Sequence, residues 1–235
     1  MIAARKSGLC AIVLCGGKSL RAGFDKQTIR IDGKPIAVWI AEALLDVFDE
    51  AILVTNQPAL YDSARIRIVE DILPDMGPLG GIHAGLTHCS GEGAFVTACD
   101  MPNISPAYLR LLAREASGKR GVFDAVAVRL DNGMLEPMNA IYAKRALPQI
   151  ERMLVNGERK TSDLLRRLNT RFLSEGEIQP FGGREKLFFN MNTPEEIQTY
   201  FLSLQASIPK KVQAFPAVWI HSSYQGGQPD EAGTC

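Results

Sequence analysis

The sequence predicts an α/β fold, a mostly parallel sheet with helices packed on both faces, and three observations point to it. Short apolar runs recur at 9–15, 51–55, 66–69, 94–99 and 124–128, with 140–142 a weaker case, and they are continuous rather than alternating. Strands buried on both faces have this pattern. Segments of helical period separate them, and strands alternating with helices imply a doubly wound sheet whose ligands bind beyond the carboxyl ends of the strands. At 235 residues and 25.7 kDa, the chain is long enough for one generous domain of this class.

Taken in order, the run 9–15 reads as a buried first strand. Arg5 and Lys6 precede it in superficial imitation of a signal peptide, but seven apolar residues sit at the floor of such a segment, and Leu14 is not the small residue that a cleavage site wants. Pro35 opens a helix whose Ile36, Ile40, Ala43, Leu44 and Val47 share a face. Leu79, Ile82 and Leu86 follow the same rule in a second helix, and Ser105-Pro106 begins a third with Tyr108, Leu109 and Leu112. Thr193-Pro194-Glu195-Glu196 is a capping box ahead of Ile197, Tyr200, Phe201 and Leu204. The expected division is a domain over 1–206 and an appended mobile tail over 207–235, where three prolines, three glycines and a brief apolar patch at 217–220 break the pattern.

Composition excludes several function classes. Hydrophobic residues at 46% and charged residues at 22% match an ordinary soluble domain. Twenty-six basic and 26 acidic residues cancel, so neither nucleic acid nor a membrane is an expected partner. No stretch reaches the roughly 18–20 apolar residues of a membrane span. Five scattered cysteines without a C-x-x-C form neither a disulfide framework nor a zinc spacing, and read as buried thiols in a reducing, cytoplasmic setting.

The chemistry lies where strands end. After the first strand, Cys15-Gly16-Gly17-Lys18-Ser19-Leu20-Arg21-Ala22-Gly23-Phe24-Asp25-Lys26 combines three glycines with three cations, a phosphate cradle of exposed amides beside fixed positive charge. A plain turn with solvated lysines is the bland alternative. The loop is not a Walker A motif, which would need glycine where Ile12 stands, and the G-x-G-x-x-G fingerprint is absent. Asp71 is placed at the close of the third strand, and Gly77-Pro78-Leu79-Gly80-Gly81 starts a helix where glycines allow a flat ligand to approach. A Gly-Pro turn would look the same. Asp100, at the end of the 94–99 strand and followed by Pro102, is placed to hold Mg²⁺ against nucleotide phosphates.

In sequence, Leu14-Cys15-Gly16-Gly17-Lys18-Ser19-x-Arg21-x-Gly23-x-Asp25-Lys26, Glu70-Asp71, Gly77-Pro78-Leu79-x-Gly81, Cys99-Asp100-x-Pro102, Glu136-Pro137 and Asn190-x-Asn192-Thr193-Pro194-Glu195-Glu196 form an ordered set. This set resembles the molybdenum cofactor guanylyltransferases over about residues 9–201. The resemblance implies a three-layer Rossmann-like nucleotidyltransferase fold and transfer of GMP from GTP to the terminal phosphate of Mo-molybdopterin, with release of pyrophosphate. It places the backbone of Leu14, Cys15 and Gly16, with Gly17, at the nucleotide and Arg21 and Lys26 on its phosphates. Asp71 would lie in the nucleoside pocket with Asn56 a looser match, and Asp100 would hold Mg²⁺. Asn190 and Asn192 fall on the pterin side, a region that related enzymes use for a second metal contact. Other cofactor-biosynthesis or acceptor proteins are implied partners. Cys15, Ala22 and Gly80 depart from the family's usual alanine, methionine and alanine.

Physical chemistry agrees with such a reaction. Attack by a phosphate on the α-phosphorus of a triphosphate needs positioning and charge neutralisation more than a covalent nucleophile. A phosphate monoester is already largely ionised near neutral pH, so no strong base is required. No Ser/His/Asp or Cys/His set is evident, and His83 and His88 are badly spaced for a shared metal. Arg152, Arg159, Lys160, Arg166 and Arg167 could attract an anionic partner, although a solvated helix face above Leu164, Leu165 and Leu168 is favoured. The alternatives are a cytidylyltransferase for the same pterin, a guanylyltransferase for another acceptor such as cobinamide phosphate, and a non-catalytic GTP-binding regulator. Gly17 and the 77–81 segment favour guanine by analogy, because cytosine-using relatives tend to differ there.

Overall fold

The computed structural model describes residues 8–16, 29–31, 33–118 and 122–207. Among these, a seven-stranded sheet forms from β1 (Cys10–Leu14), β4 (Glu50–Val54), β5 (Arg67–Val69), β6 (Gly93–Ala98), β7 (Ala125–Arg129), β8 (Leu135–Ala143) and β9 (Thr170–Leu173). Its order is β5-β4-β1-β6-β8-β7-β9, while β2 (Arg30–Ile31) and β3 (Lys34–Pro35) make a separate hairpin. Neighbours pair in parallel except at β8, which runs antiparallel to both β6 and β7. The mostly parallel expectation therefore holds, with one reversed strand.

Each parallel strand sends alternate side chains to opposite faces, and each face has its own helices. Val13, Leu53 and Phe95 pack with Ile36, Ile40 and Leu44 of α1 (Ile36–Leu44) and with Tyr108 and Leu112 of α3 (Pro106–Ser117). On the other face, Cys10, Ile12, Ile52 and Val54 meet α2 (Gly77–His88), α4 (Leu147–Val155) and α5 (Thr161–Arg167). A fully buried Leu or Ile side chain contributes about 1.5–3 kcal/mol, so two continuous apolar layers dominate stability. α3 starts where Ser105 Oγ accepts the Tyr108 amide at 3.4 Å. The capping box read in the sequence opens the helix Pro194–Ser207, Thr193 Oγ1 accepting the Glu196 amide at 3.2 Å and Glu196 Oε2 the Thr193 amide at 2.9 Å.

Register decides where the site can be. Leu14 lies level with Val54 on one side and Ala98 on the other, and Val54 is level with Val69. Four strand ends are flush, so the residues after them emerge side by side. The edge strands β5 and β9 carry Arg67 and Arg171, charges that discourage pairing with another chain.

The basic cluster near α4 and α5 is a solvated face. Arg166 pairs with Asp163 and Arg167 with Glu158, each at 2.6 Å, while Leu164 and Leu165 are buried beneath. His83 is buried with Nε2 3.5 Å from Glu151, and His88 faces Arg67. Among the described residues, no helix is long and apolar enough to cross a membrane.

Candidate functional site

Residues at the flush strand ends are fixed by their own backbones. The Cys15 amide donates to the Val54 carbonyl at 2.8 Å, the Thr55 amide to Val69 at 2.9 Å, and the Cys99 amide to Leu14 at 3.0 Å. Leu14, Cys15, Asn56, Asp71 and Asp100 consequently share one edge of the sheet. Gly16 is exposed, and a Cβ there would have no neighbour within 4 Å, which leaves its backbone open to a ligand. Gly17, Arg21 and Lys26, the remainder of the expected phosphate cradle, lie outside the described residues, as does the 208–235 part of the tail.

Asp71 stands two residues beyond Val69, the last residue of β5, rather than closing the strand as its sequence position suggested. Asn56 Nδ2 donates to Asp71 Oδ2 at 3.0 Å, and the Asp71 amide donates to Asn56 Oδ1 at 3.4 Å. Burial raises the Asp71 carboxyl above the ordinary carboxylate range, the Asn56 bond opposes that rise, and Asp75 adds to it. The two Asn56 bonds fix the Asp71 carboxyl in position at this edge.

α2 begins behind this pair. Gly77 adopts φ +62° with open space where a Cβ would be, and that conformation favours glycine. Gly81 and Gly85 have a different reason, because a Cβ would come 2.9 Å from Leu14 Cδ2 and 2.6 Å from Ile12 Cδ1 respectively. The glycines let α2 lie close against β1, which brings Leu14 and Asp71 together around Gly81. Cys15 also has a packing role that its sequence did not suggest. Its sulfur lies 2.7 Å from the buried Tyr61 hydroxyl, tying the end of β1 to the loop after β4.

Asp100 sits in the turn after β6, and its carbonyl accepts the Met191 amide at 2.9 Å. That bond brings Asn190 and Asn192 to the Asp100 side of the edge, 90 residues away in sequence. Asn190 Nδ2 donates to the Phe188 carbonyl at 3.1 Å, the Asn192 amide donates to Glu196 Oε2 at 2.7 Å, and Tyr200 donates to the Pro102 carbonyl at 3.2 Å. The segment of Asn190 and Asn192 is therefore clamped onto the loop that carries Asp100.

Sequence reasoning missed Asn139. Val126 of β7 pairs with Ile141 of β8 and Val128 with Glu136, so Ala127 faces four residues, 137–140, in a large bulge. Asn139 occupies it with φ +50°, buried. Its Nδ2 donates to the Leu187 carbonyl, its own carbonyl accepts the Tyr108 hydroxyl at 2.9 Å, and its Oδ1 has no partner among the described residues. Burial raises the carboxyl of nearby Glu136 while Arg184 lowers it. Pro137 and Asn139 within a strand were the available signal, since proline in a sheet is confined to edges and bulges and asparagine tolerates positive φ.

Four flush strand ends, a glycine-opened helix and the carboxylates of Asp71 and Asp100 meet at the carboxyl edge of a doubly wound sheet, where such folds bind nucleotides, and comparison with known proteins gives the class as a nucleotidyltransferase. The family model for the MobA-like NTP transferase domain matches residues 11–172. A probable molybdenum cofactor guanylyltransferase of Peptoclostridium acidaminophilum is 40% identical over 201 residues, covering 85% of this chain and 91% of that protein. The molybdenum cofactor guanylyltransferase of Syntrophotalea carbinolica is 35% identical over 192 residues, covering 81% and 89%. Among solved structures, molybdopterin-guanine dinucleotide biosynthesis protein A of Archaeoglobus fulgidus superposes with a TM-score of 0.69 at 28% identity, covering 84% of this chain and 100% of that one. This chain belongs to the MobA-like NTP transferase family and, within it, to the molybdenum cofactor guanylyltransferases.

Proposed function

We propose that this enzyme, acting in the cytoplasm through its 1–206 domain, transfers GMP from GTP to the terminal phosphate of Mo-molybdopterin. An oxygen of that phosphate attacks the α-phosphorus, the bond from α-phosphorus to the bridging oxygen breaks, and pyrophosphate leaves with the electron pair. The single observation behind this reading is the Asp100–Met191 bond, which joins the nucleotide-side edge to the segment of Asn190 and Asn192. A reaction between two bound phosphates needs those two sides adjacent.

In this reading, Leu14, Cys15, Gly16 and Gly17 present backbone to the nucleotide, and Asp71, steadied by Asn56, accepts hydrogen bonds from the nucleoside. Arg21 and Lys26 neutralise the triphosphate and the departing pyrophosphate. Asn190 and Asn192 bind the pterin side. Among the described residues, no group of three or more His, Cys, Asp or Glu side chains could hold a metal ion. A single carboxylate suits Mg²⁺ nonetheless, because that ion keeps several waters and takes one or two carboxylates plus substrate phosphates. Asp100, at the carboxyl edge of the sheet beside the segment of Asn190 and Asn192, is the carboxylate to hold Mg²⁺, which would supply charge screening between the two phosphates.

Pyrophosphate release from GTP, measured with and without molybdopterin, tests the reading. Release that requires molybdopterin is expected. No release, or the same release without the pterin, would contradict it.

A further inference from the structure

We propose that Cys10 and Cys89 form a reversible dithiol–disulfide pair, a modification site at the amino-terminal edge of the sheet that small hydroperoxides oxidise. Their sulfurs lie 2.6 Å apart, joining residues 79 positions apart in sequence. Cys10 opens β1, Cys89 follows α2, and both are buried. Cys15 instead meets Tyr61, and Cys99 lies at the opposite edge of the sheet, beside Asp100.

The surroundings suit the first chemical step. The Gly91 amide donates to Cys10 Sγ at 3.3 Å, Ser90 Oγ is 3.8 Å from it, and Glu50 Oε2 lies at 3.2 Å. Hydrogen bonds from Cys89 and Gly91 favour the thiolate and lower Cys10 from its ordinary value, against burial and Glu50. Burial and its contact with Cys10 push Cys89 the other way, so one sulfur is the nucleophile and its neighbour retains a proton. The short loop after Cys89 lies against the pair, the Gly91 carbonyl 3.5 Å from Cys89 Sγ and Ser90 and Glu92 exposed. A buried site under such a loop admits a small peroxide more readily than a bulky disulfide.

Cys10 thiolate attacks one peroxide oxygen, the O–O bond breaks, and the hydroxide leaves as water after taking a proton. The Cys10 sulfenic acid that results is attacked by the Cys89 sulfur. An S–S bond forms, the S–O bond breaks, and the oxygen leaves as a second water with the Cys89 proton. Two equivalents of a small thiol reverse the change and become a disulfide. Oxidation would clamp the far end of α2 to β1, the two elements whose other ends form the nucleotide edge.

The test treats the full chain with stoichiometric hydrogen peroxide, alkylates it after denaturation, and maps it without reduction. A Cys10–Cys89 linked peptide, loss of two hydrogens from the intact mass and reversal by dithiothreitol are expected. Oxidised wild type should melt at higher temperature, because the bond closes a long loop. In Cys89→Ser, Cys10 should be trapped by dimedone and the shift in melting should vanish. Cys10 and Cys89 both alkylated after peroxide, linkage to other cysteines, or sulfinic acid at Cys10 without a cross-link would overturn the proposal. The wild-type map decides the matter even where the variant fails to fold.

Discussion

Asn56 and Asp71 hold each other by a reciprocal pair of hydrogen bonds that joins the chain leaving β4 to the chain leaving β5. Because burial raises the Asp71 carboxyl, its favourable contribution is fully present below its unfolded value and is lost as pH rises through the folded one. Asp71→Asn removes that loss. Melting temperatures across acid to neutral pH should show the variant gaining on wild type as pH rises, while calorimetry shows GTP binding weakened about tenfold, or about 1.4 kcal/mol. Parallel stability curves would show that the buried charge does not titrate as described.

Asp100→Ala separates fold from chemistry. The bond to Met191 uses the backbone carbonyl of Asp100, so alanine keeps it and the acceptor segment stays in place. Melting should stay near the wild-type value, and kcat should fall by about 10²-fold or more if the carboxylate holds the metal that screens the phosphates. Wild-type turnover in this variant would show that the metal is held elsewhere.

Gly85→Ala probes the approach of α2 to β1. Its new Cβ would stand 2.6 Å from Ile12 Cδ1, and overpacking of this kind costs about 1–3 kcal/mol. Ile12→Ala alone opens a cavity worth about 2–5 kcal/mol. Chemical denaturation of the double variant should show a loss well below the sum of the two. Additive losses would show that these positions do not press on each other.

Asn139 can be dissected by two substitutions. Both Asn139→Gly and Asn139→Ala abandon the Leu187 carbonyl, which costs about 1–3 kcal/mol when such a group is left buried and unpaired. Alanine must also adopt φ near +50°, adding about 1–2 kcal/mol that glycine avoids. Denaturation midpoints should rank wild type above glycine above alanine. KM for molybdopterin should rise more than KM for GTP, since Leu187 leads into the segment of Asn190 and Asn192.

The parallel core was legible because strands buried on both faces are apolar throughout, and the capping residues Ser105 and Thr193 act as the sequence implied. Direction was not legible. The apolar run of β8 would look the same in either sense, and its first half, Glu136 included, is only half-buried. β9 escaped because an edge strand of four residues containing Thr170 and Arg171 has too little pattern to stand out. The strand-end carboxylates were placed by position alone. Asn139, the Tyr61 contact to Cys15 and the meeting of Cys10 with Cys89 depend on chain segments far apart in sequence, which no local pattern encodes.

The central claim is guanylyl transfer between two phosphates at the carboxyl edge of this sheet. It is tested most directly by supplying GTP and CTP, each labelled at the α-phosphorus, in parallel with molybdopterin, Mg²⁺ and the full chain. The account predicts label in the pterin dinucleotide from GTP and little from CTP; label from CTP alone, or from neither nucleotide, would contradict it.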